Sequence, residues 1–180
     1  MVERIKITEN ICDENYYYFI DYLLKKSDIF TFSLPNFGKL IRTYDDERVI
    51  KQLDDGSDFF RYKKKCMNKI KKITDHQIKM YRSEKYGRSI YDREREIYVV
   101  RIDDSLDRSF FNNKGLFDWQ YPKYPEDFCF YRNGQCVMNS ISHEKWCFCY
   151  FVDEELKKFL DRTQIRFFEE ECSDIPTFKI

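Results

Sequence analysis

The stretch EDFCFYRNGQCVMNSISHEKWCFCYFV, residues 126–152, decides the fold. Asn133-Gly134 sits between two runs of strand-forming residues, Phe128–Arg132 and Gln135–Ser140. Both turn residues tolerate positive φ, so the pair predicts a type I′ hairpin turn. A third apolar run, Trp146–Val152, completes an antiparallel β-meander over about residues 126–152. A two-residue turn sets Arg132 opposite Gln135, Tyr131 opposite Cys136, Phe130 opposite Val137 and Cys129 opposite Met138. That register places Cys129, Tyr131, Cys136 and Met138 on one face. Phe128, Phe130, Val137 and Asn139 fall on the other. Both faces are apolar, so the sheet is expected to be covered on both sides.

Outward from the meander, local patterns supply the other elements. Asp153 is a helix N-cap, and Leu156, Phe159 and Leu160 share the inward face of the helix it starts. Ile165–Phe168 reads as a last strand. At the other end of the chain, Arg4–Thr8 alternates as a short strand. Tyr16, Phe19, Ile20, Leu23 and Leu24 have helical spacing over Asp13–Lys26, with Asp13 as N-cap. Ile29–Leu34 alternates again and stops at Pro35, which cannot donate to a ladder. Asp45–Leu53 reads as a short helix after an ambiguous Phe37–Tyr44. Phe59, Tyr62, Cys66, Ile70, Ile73, Gln77 and Met80 step by three and four, which predicts one long helix over about 58–85. Glu96–Ile102 is a strand, and Asp103–Leu116 holds a short helix. This order is not the regular alternation of a parallel α/β fold. It predicts a single α+β domain, the meander packed against several helices.

Composition narrows the classes. The chain has 180 residues, 18% of them aromatic, enough for a sizeable core. Its 32 basic and 32 acidic residues balance, which argues against a protein dedicated to polyanions, whose domain pI is typically above about 9. The start, MVERIKITEN, has no apolar signal segment, and the longest apolar run is too short to span a bilayer. A soluble, cytoplasmic protein with no membrane partner is expected, its seven cysteines free and mostly buried.

Three constellations could carry chemistry. Cys129, Cys136, His143, Cys147 and Cys149 lie close in sequence, but no C-x-x-C pair occurs and Cys147 and Cys149 point the same way from one strand. Packed thiols, with no metal and no cofactor, are expected. Ser140, Ser142, His143 and Glu144 invite a catalytic reading, as would either His143 or His76 paired with a cysteine. Neighbours in a turn diverge, however, and no nucleophile elbow or H-E-x-x-H accompanies them, so no catalytic residue is assigned. Glu126 and Asp127 are a carboxylate pair able to do acid–base work or to accept hydrogen bonds where the strand starts.

The segment from Ser57 to Tyr86 carries eight lysines and two arginines against three acids. Lys63, Lys64, Lys65, Lys69 and Lys72 form its candidate basic face, suited to phosphates or to an acidic protein. Because the whole chain is neutral, the molecule is expected to be electrically lopsided.

Short motifs carry a resemblance. Leu116-Phe117-Asp118-Trp119, then Tyr124-Pro125-Glu126-Asp127-Phe128-Cys129-Phe130-Tyr131, then Ser142-His143-Glu144 resemble a group of small bacterial proteins with a W…P-E-D-x-x-F…S-H-E pattern. Some of these carry the automatic label "stage III sporulation protein AH". Phe32-Ser33-Leu34-Pro35-Asn36-Phe37 resembles an N-terminal stretch of longer members. The chain departs from the pattern at Tyr124, where leucine is usual, and at Val137, where tryptophan is common. The resemblance implies a compact α+β domain of bacterial origin and brings no activity.

The expectation is a non-catalytic binding protein with a protein partner, an immunity-type inhibitor of a toxin or effector being one form. The candidate interaction surface is Trp119, Tyr121, Tyr124, Glu126, Asp127, Ser142, His143 and Glu144, with the loop Trp119–Tyr124 partly exposed. A nucleic-acid-binding regulator using the basic helix is the alternative. An enzyme centred on His143, Glu144, Glu126 and Asp127 requires those side chains to converge. The sequence leaves the oligomeric state and the partner's identity open.

Overall fold

The computed structural model describes residues 2–35, 58–83, 95–121 and 123–178. Eight strands form one sheet: β1 (Val2–Ile7), β2 (Ile29–Pro35), β3 (Gln77–Ser83), β4 (Arg95–Arg101), β5 (Glu126–Arg132), β6 (Gln135–Ile141), β7 (Trp146–Cys149) and β8 (Phe167–Cys172). Their order across the sheet is β3-β4-β2-β5-β6-β7-β1-β8, and every neighbouring pair is antiparallel. Among the described residues three α-helices accompany it: α1 (Asp13–Lys26), α2 (Asp58–Lys71) and α3 (Glu154–Thr163). The architecture is α+β, and β5-β6-β7 is the expected meander. No helix among the described residues is long and apolar enough to cross a membrane. The expected helix over residues 45–53 and the ambiguous stretch before it lie outside the described residues.

Burial explains why these segments fold as they do. The helical face of the sheet centres on aromatic rings. Phe30 and Phe32 of β2 and Phe128 and Phe130 of β5 pack with Phe110 and Phe111 of one 3₁₀ turn and with Trp119 at the end of a second. α1 supplies Tyr16, Phe19, Leu23 and Leu24, and α3 supplies Leu156, Phe159 and Leu160. Ring pairs at such distances add about 0.5–1.5 kcal/mol each beyond the area they bury. On β2 the opposite face is buried too, through Ile29, Thr31 and Ser33, as are Ile97 and Val99 on β4. The sheet is therefore buried on both faces at β2 and β4, whereas on the hairpin the outer face is buried at Cys136 but only half-buried at Cys129, Tyr131 and Asn139.

α3 begins as expected, with the Asp153 carboxylate accepting the Leu156 N–H at 2.9 Å. α1 also spans the expected residues, but Cys12 occupies the cap position and Asp13 has positive φ.

Two expectations need correction. The long basic helix over 58–85 is not formed. α2 ends at Lys71, a 3₁₀ turn spans Thr74–His76, and Gln77–Ser83 is the edge strand β3. Cys66, Ile70 and Ile73 are buried as the helical stripe requires, whereas Gln77 and Met80 are exposed. The last turn tightens through Lys72 N–H to Lys69 O and Ile73 N–H to Ile70 O, and the Thr74 hydroxyl donates to Ile70 O. Ile78 and Met80 fit a period of two as well as one of three to four, and pairing with β4 decides between them.

The hairpin register also differs. Asn133 and Gly134 take positive φ, and Arg132 faces Gln135 and Tyr131 faces Cys136 as expected. Beyond that point Phe130 pairs with Met138 and Cys129 with Asn139, so Val137 is an extra residue in a β-bulge. Its carbonyl accepts the Tyr150 N–H at 2.9 Å, and both Val137 and Met138 join the buried core. Met138 thus leaves the face it was expected to share with Cys129.

Candidate functional site

The bulge separates the thiols. Met138 pairs with Cys149 and Ser140 with Cys147, and those residues pair onward with Ile5 and Ile7 of the core. Cys129 and Cys136 lie on the opposite face with Tyr131. The four cysteines are thus split between two faces, and the described residues hold no cluster of three or more metal-ligating side chains. Burial raises the thiol of Cys129 to about 11 and pushes those of Cys136 and Cys147 up as well. A raised thiol pKa is the opposite of what activates a cysteine, so Cys129, Cys136 and Cys147 are packed as thiols.

The carboxylate pair at the start of β5 is drawn together with the Ser142–Glu144 turn. Between Thr31–Cys129 and Ser33–Glu126 the β2–β5 register shifts, and Asp127 stands in that irregularity with φ 54°. This conformation turns its side chain into the protein, where it is 2% exposed. Arg95, the first residue of β4, approaches it from the buried outer face that Ile97 and Val99 share. Arg95 Nη1 donates to Asp127 Oδ2 at 2.8 Å, to Glu126 Oε2 at 3.0 Å and to Ser33 Oγ at 2.8 Å. Glu126 Oε1 accepts the Tyr121 backbone N–H at 2.9 Å.

The other Asp127 oxygen, Oδ1, is buried without a hydrogen-bond partner, as is Ser142 Oγ. His143 Nδ1 stands 4.0 Å from Oδ1. Burial raises the Asp127 carboxyl above its ordinary value; Arg95 opposes that rise and Glu126 reinforces it. Outside this network His143 and Glu144 face solvent at 52% and 42%, with Nε2 of the one 3.9 Å from Oε1 of the other. Lys145 follows in left-handed backbone and closes the turn by donating its N–H to Ser142 O.

The remaining residues of the expected surface are placed differently. Trp119 is not part of an exposed loop: it is 1% exposed, and its indole N–H donates to the Tyr16 hydroxyl at 2.8 Å. The ring is large and apolar with one donor, so the core takes the ring and a buried phenol takes the proton. Tyr121 and Tyr124 are half-buried, and the Tyr124 ring lies 5.3 Å from Trp119.

The basic face is likewise divided. Lys69 Nζ donates to Phe110 O at 3.0 Å and Asn112 O at 2.6 Å, over the rings of Trp119 and Tyr124. Burial lowers its pKa to about 8. Lys72 Nζ donates to the Ser109 hydroxyl at 3.0 Å. These two lysines fasten α2 to residues 107–112. Lys64 and Lys65 are exposed, and Lys63 lies on the same helix. His76 pairs with Asp103 at 3.4 Å, which ties it to the end of β4 and not to a cysteine.

Sequence reasoning missed Arg95 and Ser33. Arg95 shares the parity of Ile97 and Val99 in REIYVVR, so its inward direction was readable, although its partners were not. Compared with family models, with curated proteins and with solved structures, the chain gives no match. The reading of the site therefore rests on geometry.

Proposed function

We propose that this is a non-catalytic binding protein whose partner is another protein, with an immunity-type inhibitor of a toxin or effector as the form that suits it best. The observation that carries the reading is how the rim divides. Glu126 and Asp127, the acids an enzyme would need free, are engaged inside by Arg95 and the Tyr121 N–H. His143 and Glu144 stand outside them as a polar, solvent-facing turn. Exposed polar groups beside a hydrogen-bonded network in the sheet are suited to recognition. The basic-helix alternative is weakened because Lys69 is consumed within the fold and Lys72 is hydrogen-bonded to Ser109.

The test is affinity capture from native lysate with the wild-type protein and with a His143→Ala, Glu144→Lys variant. The proposal expects one protein recovered at stoichiometric yield and lost with the variant. No stoichiometric partner, or one retained equally by the variant, counts against it.

A further inference from the structure

The two edges of the sheet carry opposite charge. Among the described residues β3 and β8 are the outermost strands, so each leaves backbone N–H and C=O groups on its outer side. β8 reads FFEEEC. Arg4 holds Glu170 at 2.7 Å. Glu169 and Glu171 are exposed with no ion-pair partner among the described residues, as is Glu3, which lies opposite Glu171. Lys6 of β1 lies opposite Phe168 and over the Trp146 ring. β3 reads QIKMYRS and holds no acid. Lys79 is exposed and has no ion-pair partner among the described residues. Arg82, 63% exposed, is held loosely by Glu96 of β4 at 3.6 Å. Ile78, Met80 and Tyr81 of β3 and Phe168 of β8 are also exposed.

Strand direction lets these two edges meet. Every neighbouring pair is antiparallel and the sheet has eight strands, so β3 and β8 run in opposite directions. A second copy set beside the first with the same face up brings its β3 antiparallel to the first copy's β8. The faces match as well. Arg82 pairs with Glu96, on the face where Tyr98 stacks on Phe32. Glu169 lies opposite the core residue Ile5, so Arg82 and Glu169 both belong to the helical face. Lys79 and Tyr81 share the outer face with Val99 and Ile97, as Phe168 and Glu170 do with Lys6 and Arg4. One register sets Lys79 opposite Glu170 and Tyr81 opposite Phe168. Arg82 is then diagonal to Glu169, within reach of a long side chain.

We infer that copies of this chain associate head to tail, β3 of one copy extending the sheet at β8 of the next. Charge on an edge strand ordinarily opposes pairing, because the strand of an identical copy brings its own sign. That holds here for β8 against β8 and for β3 against β3, where like charges would stand opposite each other. The mixed joint alone brings opposite signs together. It leaves one β3 and one β8 free at the ends, so growth is open. A joint of one short strand pair is small, which makes the association weak and dependent on concentration. The inference goes beyond the protein-partner reading and does not rest on it.

The test is sedimentation of the full chain over a concentration series at low and at high salt. At low salt the mean mass should climb with concentration, and at high salt it should fall back toward the monomer as the charges are screened. Glu169→Lys, Glu171→Lys makes both edges basic, and Lys79→Glu, Arg82→Glu makes both acidic. Each variant alone should associate about tenfold more weakly or worse. Mixed together, the two place opposite signs at every joint and should recover the association of wild type. All four side chains are exposed, unchanged circular dichroism verifies folding, and a misfolded variant could not be rescued by the other. A monomer at every concentration, association that salt or either reversal leaves intact, or a mixture no better than its parts overturns the inference. His143→Ala, Glu144→Lys should associate as wild type does, so failure here and failure at the rim are told apart.

Discussion

The indole N–H of Trp119 donates to the Tyr16 hydroxyl at 2.8 Å, and that hydroxyl donates its own proton to the Phe111 carbonyl at 2.8 Å. The relay joins α1 to the two 3₁₀ turns that cover the aromatic core. Tyr16→Phe leaves the indole N–H unsatisfied in a buried site and removes the donor to Phe111 O. A loss of about 1–3 kcal/mol is expected from urea unfolding. A variant as stable as wild type would show that the relay does not hold these segments.

Gly134 sits at φ 77°, and a Cβ there would come 2.9 Å from the Phe178 carbonyl oxygen. The turn N–H and C=O groups are tied to the C-terminal segment: Phe178 N–H donates to Gly134 O at 2.7 Å and Cys136 N–H to Pro176 O at 2.8 Å. Gly134→Ala is expected to cost roughly 1–2 kcal/mol through left-handed backbone alone. It should also loosen the segment, seen as faster amide exchange at Cys136 and Phe178. Asn133→Gly should be tolerated.

Lys69 gives a pH signature with a definite sign. Its pKa is about 8 in the folded protein, below the roughly 10.4 of an unfolded chain. Between those values the unfolded chain holds more protons, so stability rises with pH there. Lys69→Met removes this dependence. The stability advantage of wild type over the variant should therefore be greater at pH 10 than at pH 8, measured by denaturant unfolding. The opposite trend would mean that burial does not govern Lys69.

Asp127 is constrained twice, by left-handed backbone and by Arg95. Asparagine tolerates that backbone and keeps an oxygen for Arg95, whereas alanine does neither. Asp127→Ala is expected to be the less stable by about 1–2 kcal/mol. Because burial raises the folded-state carboxyl above its unfolded value, its contribution is fully present below the unfolded pKa. It is lost as pH rises through the folded one. The gap between wild type and Asp127→Asn should accordingly be largest at acidic pH and shrink as pH rises.

Much of this fold was legible locally. The α1 stripe, the alternation of β2, the Asn133-Gly134 turn and the Asp153 cap each rest on neighbours within one or two turns of chain. The failures came where distant pairing overruled a local pattern. Gln77 and Met80 extended a helical stripe, but β4 claimed them as strand. Val137 looked like the partner of Phe130, but a bulge displaced it so that two neighbouring residues could both be buried. At the rim, Glu126, Asp127 and His143 were named from sequence, while Arg95 lies 31 residues from Glu126 and joins it only through the sheet. Trp119 was expected outside because tryptophan favours interfaces, and its partner Tyr16 lies 103 residues away. The opposite charges of the two edge strands escaped notice because residues 77–83 read as helix and the last strand was expected to end at Phe168.

Arg95 ties both carboxylates beside the Ser142–Glu144 turn into the sheet. A double-mutant cycle on Arg95→Met and Asp127→Asn tests it most directly, with unfolding free energies for wild type, both single variants and the double variant. A coupling of about 1 kcal/mol or more is expected, as for contacting charged groups. Additivity to within about 0.5 kcal/mol would contradict it and leave Asp127 free for another role.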